Sequence, residues 1–201
     1  MRKIIAATFV SLDGVMQAPG GPDEDTASGF KLGGWTFHYW DDAVSGVMDE
    51  VFAKPYALLL GRKTYDIFAS FWPDRPEDPI GKAFNAATKY VATHAPETLS
   101  WEHSQSLGSD VVAALTRIKQ EDGPDLLIQG SSDLIQTLLK ADLIDEFSLL
   151  IFPVVLGPGK RLFGTGTMPA AFKLIRSQTS PTGVIMAKFE RAGEVKTGSF
   201  A

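Results

Sequence analysis

Continuous apolar runs and stretches of helical periodicity alternate along the chain. Lys3 to Val10 is apolar at nearly every position, and so are Tyr56 to Leu60 and Leu126 to Gln129. Runs without polar alternation suit strands of a parallel sheet covered on both faces. Lys89 to Thr93 reads as a shorter strand. Between these runs Val44, Val47, Met48, Val51 and Phe52 recur at helical spacing, as do Leu134, Ile135, Leu138 and Leu139, and Val111 to Lys119 is amphipathic. Tyr65 to Phe71 is a helix or a turn. Ser11-Leu12-Asp13-Gly14 turns the chain after the first strand, Pro55 stops a helix, and Gln17 to Gly34 and Pro73 to Pro79 are loops. A loop as long as Gln17 to Gly34 in a compact domain is commonly functional. After Ala141 the texture changes. Asp145 to Val155 is a strand ended by Gly157-Pro158-Gly159, and Ala171 to Ser177 with Gly183 to Arg191 form an antiparallel pair. The pattern predicts one α/β domain over residues 1–201, strands alternating with helices and closing on antiparallel strands.

Composition narrows the function classes. The 201 residues contain no cysteine, which removes disulfides, thiolate metal sites and cysteine nucleophiles. A formal charge of -5 disfavours nucleic acid as a partner, because backbone binding needs a clustered basic surface. The apolar start of the chain is too short for a signal peptide or a membrane span, so a cytoplasmic protein without membrane contact is expected. No metal-ligand cluster stands out.

Two strand ends carry candidate chemistry. Gly130-Ser131-Ser132 follows an apolar strand and opens a helix, where unpaired N–H groups and the helix dipole attract phosphate. Gly61-Arg62-Lys63-Thr64 repeats the arrangement with two cations, as an anion site or as a solvated basic turn. Trp35, Phe37, Tyr39 and Trp40 form an aromatic cluster that is either core beneath the long loop or a flat pocket wall. Asp41 or Asp42 caps the helix that follows, and a carboxylate there is also placed to protonate a bound ring.

Four motifs in one order carry a resemblance: SLDG at Ser11 to Gly14, LLGRKTY at Leu59 to Tyr65, IQGSSDL at Ile128 to Leu134, and DEF with PVVLGPGKRLF from Asp145 to Phe163. The chain resembles the dihydrofolate reductase fold over about residues 2–191. More closely, it is similar to the reductase domain that follows the deaminase in bifunctional riboflavin-biosynthesis proteins, and to that domain's stand-alone relatives. The resemblance implies a mostly parallel central sheet flanked by helices with a C-terminal antiparallel pair. It also implies an NADPH-dependent reductase, a homodimer, acting on a planar heterocycle of pyrimidine or pterin type. Carried over, Gly61, Arg62, Lys63 and Thr64 hold the pyrophosphate and reach the 2′-phosphate, with Thr93 and His94 facing the same phosphate. Gly130, Ser131 and Ser132 form the second phosphate turn, with Leu134 in the same motif. Thr8 and Phe9 flank the nicotinamide, and Val15 and Met16 belong to a loop that closes over it. On the substrate side the expected residues are Asp13, Trp35, Trp40, Asp42, Phe152 and Pro153, with Asp42 and Asp13 as the catalytic carboxylates. Two departures bear on substrate: Val15 stands where the riboflavin reductases have Lys, and the position of the dihydrofolate reductase carboxylate is taken by Ala43. Cofactor binding without turnover, or a dimeric interaction protein with empty phosphate turns, stay open as alternatives.

Overall fold

The computed structural model describes residues 1–200. Its centre is one eight-stranded sheet. The strands are β1 (Ile4–Ser11), β2 (Tyr56–Gly61), β3 (Lys89–Ala92), β4 (Ser104–Ser106), β5 (Asp125–Ile128), β6 (Glu146–Phe152), β7 (Phe172–Thr179) and β8 (Ile185–Arg191). They lie side by side in the order β4-β3-β2-β5-β1-β6-β8-β7. The pairs from β4 to β6 are parallel, and β8 joins β6 antiparallel before pairing antiparallel with β7. β1 and β2 are buried along most of their length, as their uninterrupted apolar sequences require, whereas the edge strand β7 is mostly exposed.

Five helices flank the sheet: α1 (Asp42–Phe52), α2 (Arg62–Ala69), α3 (Pro79–Ala86), α4 (Val111–Gln120) and α5 (Ser132–Lys140). The α1 N-cap is Asp41, whose carboxylate accepts from the Val44 N–H at 2.9 Å and from the N–H and hydroxyl of Thr182. It thereby ties the start of α1 to the β7–β8 turn. Two elements differ from the sequence pattern. α3 begins at Pro79, the residue that ends the expected loop, because Asp78 caps it and Pro at the first helical position costs no hydrogen bond. β4 is three polar residues at the sheet edge and carries no hydrophobic signature.

One apolar cluster packs α4 and α5 against β1, β5 and β6, with residues such as Leu115, Leu138 and Phe147. A second unites Trp35, Val44, Met48 and Phe152 beneath the long loop, and a third gathers Tyr65, Phe84 and Trp101 against β2 and β3. Among the described residues no helix is long and apolar enough to cross a membrane.

Candidate active site

The site arises from the shortness of β5. β1 pairs with β5 only from Ile4 to Ala6, although β6 accompanies it as far as Ser11. β2 pairs with β5 only from Tyr56 to Leu58, although it runs on to Gly61. Past Ile128 a gap therefore opens between β1 and β2 at the C-terminal ends of the parallel strands, where open α/β sheets bind ligands. A cavity of about 1090 Å³ occupies it, floored by Ala7, Thr8 and Phe9 and flanked by the Gly61 and Gly130 turns. The loop from Met16 to Asp25 forms a further wall.

At the polar end two helix starts are locked together. The Gly61 N–H donates to Ser131 Oγ at 2.9 Å, and the Ser131 N–H donates to Thr64 Oγ1 at 3.1 Å. Gly130 has φ +72°, and a Cβ there would stand 3.4 Å from Thr64. Ser131 is itself left-handed at φ 60°, a conformation for which glycine is the usual residue. The Ser131 N–H is thus taken inside the protein and is not a free anion donor, which corrects the expectation that all three residues of this turn offer one.

The cations of this end are paired as well. Arg62 reaches both oxygens of Asp66 at 2.8 and 3.0 Å and also donates to Thr93, Thr98 and the Ala95 carbonyl. Lys63 and Lys160 both reach the buried Asp25 of the long loop, at 2.5 and 2.6 Å. Burial raises the Asp25 carboxyl, but the hydrogen bonds from Lys160 and Lys63 outweigh it and leave it below the ordinary range. Near it Glu24 lines the cavity, and there burial prevails over hydrogen bonds from Gly20 and Gly21, so its carboxyl is pushed up. Nothing in the sequence marks Glu24 except its place in the long loop.

The other end is aromatic. Phe84 lies 5.5 Å from Phe52, 5.6 Å from Phe68 and 5.4 Å from Trp72 between ring centroids, and Phe71 lies 4.9 Å from Trp72. All five line the cavity together with Met48 and Ile80. α2 joins the two ends, its first turn at the phosphate side and its last at the aromatic side, about 10 Å apart at 1.5 Å per residue.

The cavity gathers many of the expected residues and leaves others out. Thr8, Phe9, Met16, Gly61, Arg62, Lys63, Thr64, Gly130, Ser131, Ser132, Leu134 and Trp40 line it. Thr93 and His94 do not: Thr93 accepts from Arg62, and His94 is exposed. Val15 is core, its N–H donating to Ser11 Oγ. Trp35 is also core, with its indole N–H on the Gln17 carbonyl and its ring 5.3 Å from Phe152. Phe152 is fully buried behind Phe9, and Pro153 is exposed. Neither expected catalytic carboxylate reaches the cavity. Asp42 is exposed at the first position of α1 and is not among the lining residues. Asp13 accepts from Ser11, Leu156, Gly157 and Arg161, so it fastens the turn after β1 to the loop after β6. The Ser11 hydroxyl, with those backbone donors acting against desolvation, holds its pKa at about 2.

With this geometry in view the relatives are informative. The model of the RibD C-terminal domain matches residues 2–186. The chain belongs to the RibD C-terminal domain family. A Bacillus subtilis (strain 168) protein, YwjB, is 30% identical over 166 residues, which covers 81% of this chain and 83% of YwjB. Among solved structures, a putative riboflavin biosynthesis protein from Shewanella sp. PV-4 shares the fold at a TM-score of 0.59 and 22% identity, over 94% of this chain and 99% of that one. Dihydrofolate reductase from Enterococcus faecalis, complexed with NADP(H) and RAB-propyl, aligns at a TM-score of 0.57 and 14% identity, over 94% and 96% of the two chains. The fold is therefore the reductase type common to the RibD C-terminal domain and dihydrofolate reductase.

Proposed function

We propose that this protein is an NADPH-dependent reductase that transfers a hydride to a planar ring compound held at the aromatic end of the cavity. The observation that carries the reading is the gap itself: one cavity continuous from two glycine-turned helix starts to an aromatic wall, across the floor of β1. NADPH fits the residues present. Thr8 Oγ1 and Gln129 Nε2 belong to cavity-lining residues and are buried without a hydrogen-bond partner, as groups awaiting a polar ligand are. The positive φ of Gly130 keeps a side chain out of the turn where a pyrophosphate would approach.

The bound cofactor supplies the hydride. The chain's part is positioning and exclusion of water. Gly61 to Thr64 and the Gly130 turn would hold the phosphates, Arg62 and Lys63 the 2′-phosphate, and Thr8, Phe9 and Gln129 the ring end. Phe9 is braced by Phe152 at 5.9 Å and by Trp40 at 5.6 Å, so the floor beneath a nicotinamide is stiff. The carboxylates nearest the aromatic end are engaged, Asp66 by Arg62 and Asp78 by the N–H groups that open α3, so solvent is the proposed proton source. Turnover, as opposed to regulatory cofactor binding, is judged by NADPH oxidation with added acceptors.

Titration of the two cofactors tests the reading. NADPH is expected to raise the melting temperature and to bind about tenfold or more tighter than NADH, since charge-assisted hydrogen bonds to the 2′-phosphate distinguish them. Arg62→Ala should erase most of that difference. Equal affinities for the two cofactors, or no binding of either, would overturn the reading.

A further inference from the structure

The aromatic end also bears on what charge an acceptor carries. Three cations line the cavity, Arg62, Lys63 and Lys160, and all three belong to the phosphate end, where each already faces a carboxylate. At the other end the lining is mainly Met48, Phe52, Phe68, Phe71, Trp72 and Phe84, with Ile80 and Ser70 at its margin, and the acidic Asp66 between the two ends is held by Arg62. The nearby cation Arg75 does not line the cavity: its guanidinium lies over the Phe71 ring at 3.5 Å and donates to the Phe71 carbonyl.

Helix fields act in the same direction. α1 and α2 both end here, at Phe52 and Ala69, and a helix C-terminus carries about half a negative charge. α3 is the one helix that presents its N-terminus, and Asp78 already accepts from the Ile80 and Gly81 N–H groups there. An anion in this wall would lose its hydration, meet no cation among the lining residues of this end and face two helix C-termini. A neutral flat ring would instead meet aromatic faces and edges. One polar group does lack a partner: the buried indole N–H of Trp72. A donor without a partner in an aromatic wall suits a ligand oxygen.

We infer that the acceptor is an uncharged, flat, largely apolar ring compound bearing a carbonyl oxygen, and that phosphate- or carboxylate-bearing substrates are rejected. This rests on the proposed reductase reading. For a quinone the step balances as hydride from the reduced nicotinamide plus one proton from water, giving the hydroquinone and the oxidised cofactor.

The test uses the NADP⁺-loaded protein, in which nothing is reduced, and two probes with the same ring system: 2-methyl-1,4-naphthoquinone, which is neutral, and 1,4-naphthoquinone-2-sulfonate, which is anionic. Calorimetric titration should show the neutral probe bound at least tenfold more tightly. Ser70→Lys places a cation at the exposed margin of the aromatic end, at the C-cap of α2, and should narrow the gap to under threefold by strengthening sulfonate binding. Trp72→Phe should weaken the neutral probe several-fold, and both variants should bind NADP⁺ as before. Equal or tighter sulfonate binding by the unaltered protein, or binding of neither probe, overturns the inference while leaving cofactor binding intact. Failure to bind NADP⁺ at all overturns the reductase reading instead.

Discussion

The two ends of the cavity are built by opposite means. The phosphate end is made of backbone and charge: two helix starts cross-linked through Ser131 and Thr64, and a loop carboxylate, Asp25, clamped between two lysines. The aromatic end is made of side-chain volume, with Phe84 touching rings from α1, α2 and the segment after α2. The first depends on hydrogen-bond geometry that a single Cβ disturbs, whereas the second depends on packing that is also the core of the fold. Stability and ligand binding should therefore respond differently to change at each end.

The largest expected effect is on stability at the aromatic end. Phe84→Ala removes a ring that is 2% exposed and should cost about 3–5 kcal/mol. A fall in melting temperature of roughly 10 °C follows for a chain of this size, with cofactor affinity held within about twofold. A melt displaced by only a degree or two would mean that the rings are a loose lining and not core.

Gly130→Val inverts that outcome. The left-handed backbone disfavours a branched residue by about 1–3 kcal/mol, and the new side chain crowds Thr64 where the phosphate turn must stay open. The variant should remain folded by circular dichroism and lose detectable NADPH binding in a titration. Retained affinity would remove this turn from the site.

Acid should loosen the loop ties made by Asp13 and Asp25 while sparing the aromatic end, with the smallest effect of the three. Asp13 and Asp25 are both lowered below the ordinary aspartate value near 3.9, Asp13 to about 2. For a lowered carboxyl the stabilisation is fully present above about pH 4 and is lost as pH falls through the folded-state value. Urea midpoints between pH 4 and pH 2.5 should therefore drop less in Asp13→Asn than in the unaltered protein. Parallel lines for the two would show that the Asp13 hydrogen bonds contribute nothing to the pH dependence.

The same contrast explains what could be read from the sequence. Strands β1, β2 and β5 announce themselves by unbroken apolar runs, and the Gly61 and Gly130 turns are contiguous motifs whose function lies in the local backbone. The aromatic end has no such signature. Phe52, Phe68 and Phe84 come from three different helices, each at a spacing that reads as ordinary core, and only the tertiary fold brings them to one wall. Trp35 and Trp40 make the point within one segment: five residues apart, one is sealed beneath the loop and the other lines the cavity. Asp13 and Asp42 failed as cavity residues for a related reason. A carboxylate beside a turn or a helix start has backbone donors within reach in one case and solvent in the other, and sequence does not say which.

The floor of the site also has a place in the history of the chain. β1 is made first, yet its partners are made late: the Lys3 N–H bond to Asp125 spans 122 residues, and the Gly157 N–H bond to Asp13 spans 144. The aromatic end is assembled from chain between Met48 and Phe84 and draws on shorter loop closures. At synthesis rates of about 5–20 residues per second, Thr8 and Phe9 wait roughly 7–30 s for β5 and β6 to emerge. A growing chain thus shapes the wall that would meet the acceptor before it possesses the strands that hold the cofactor's floor, β1, in place.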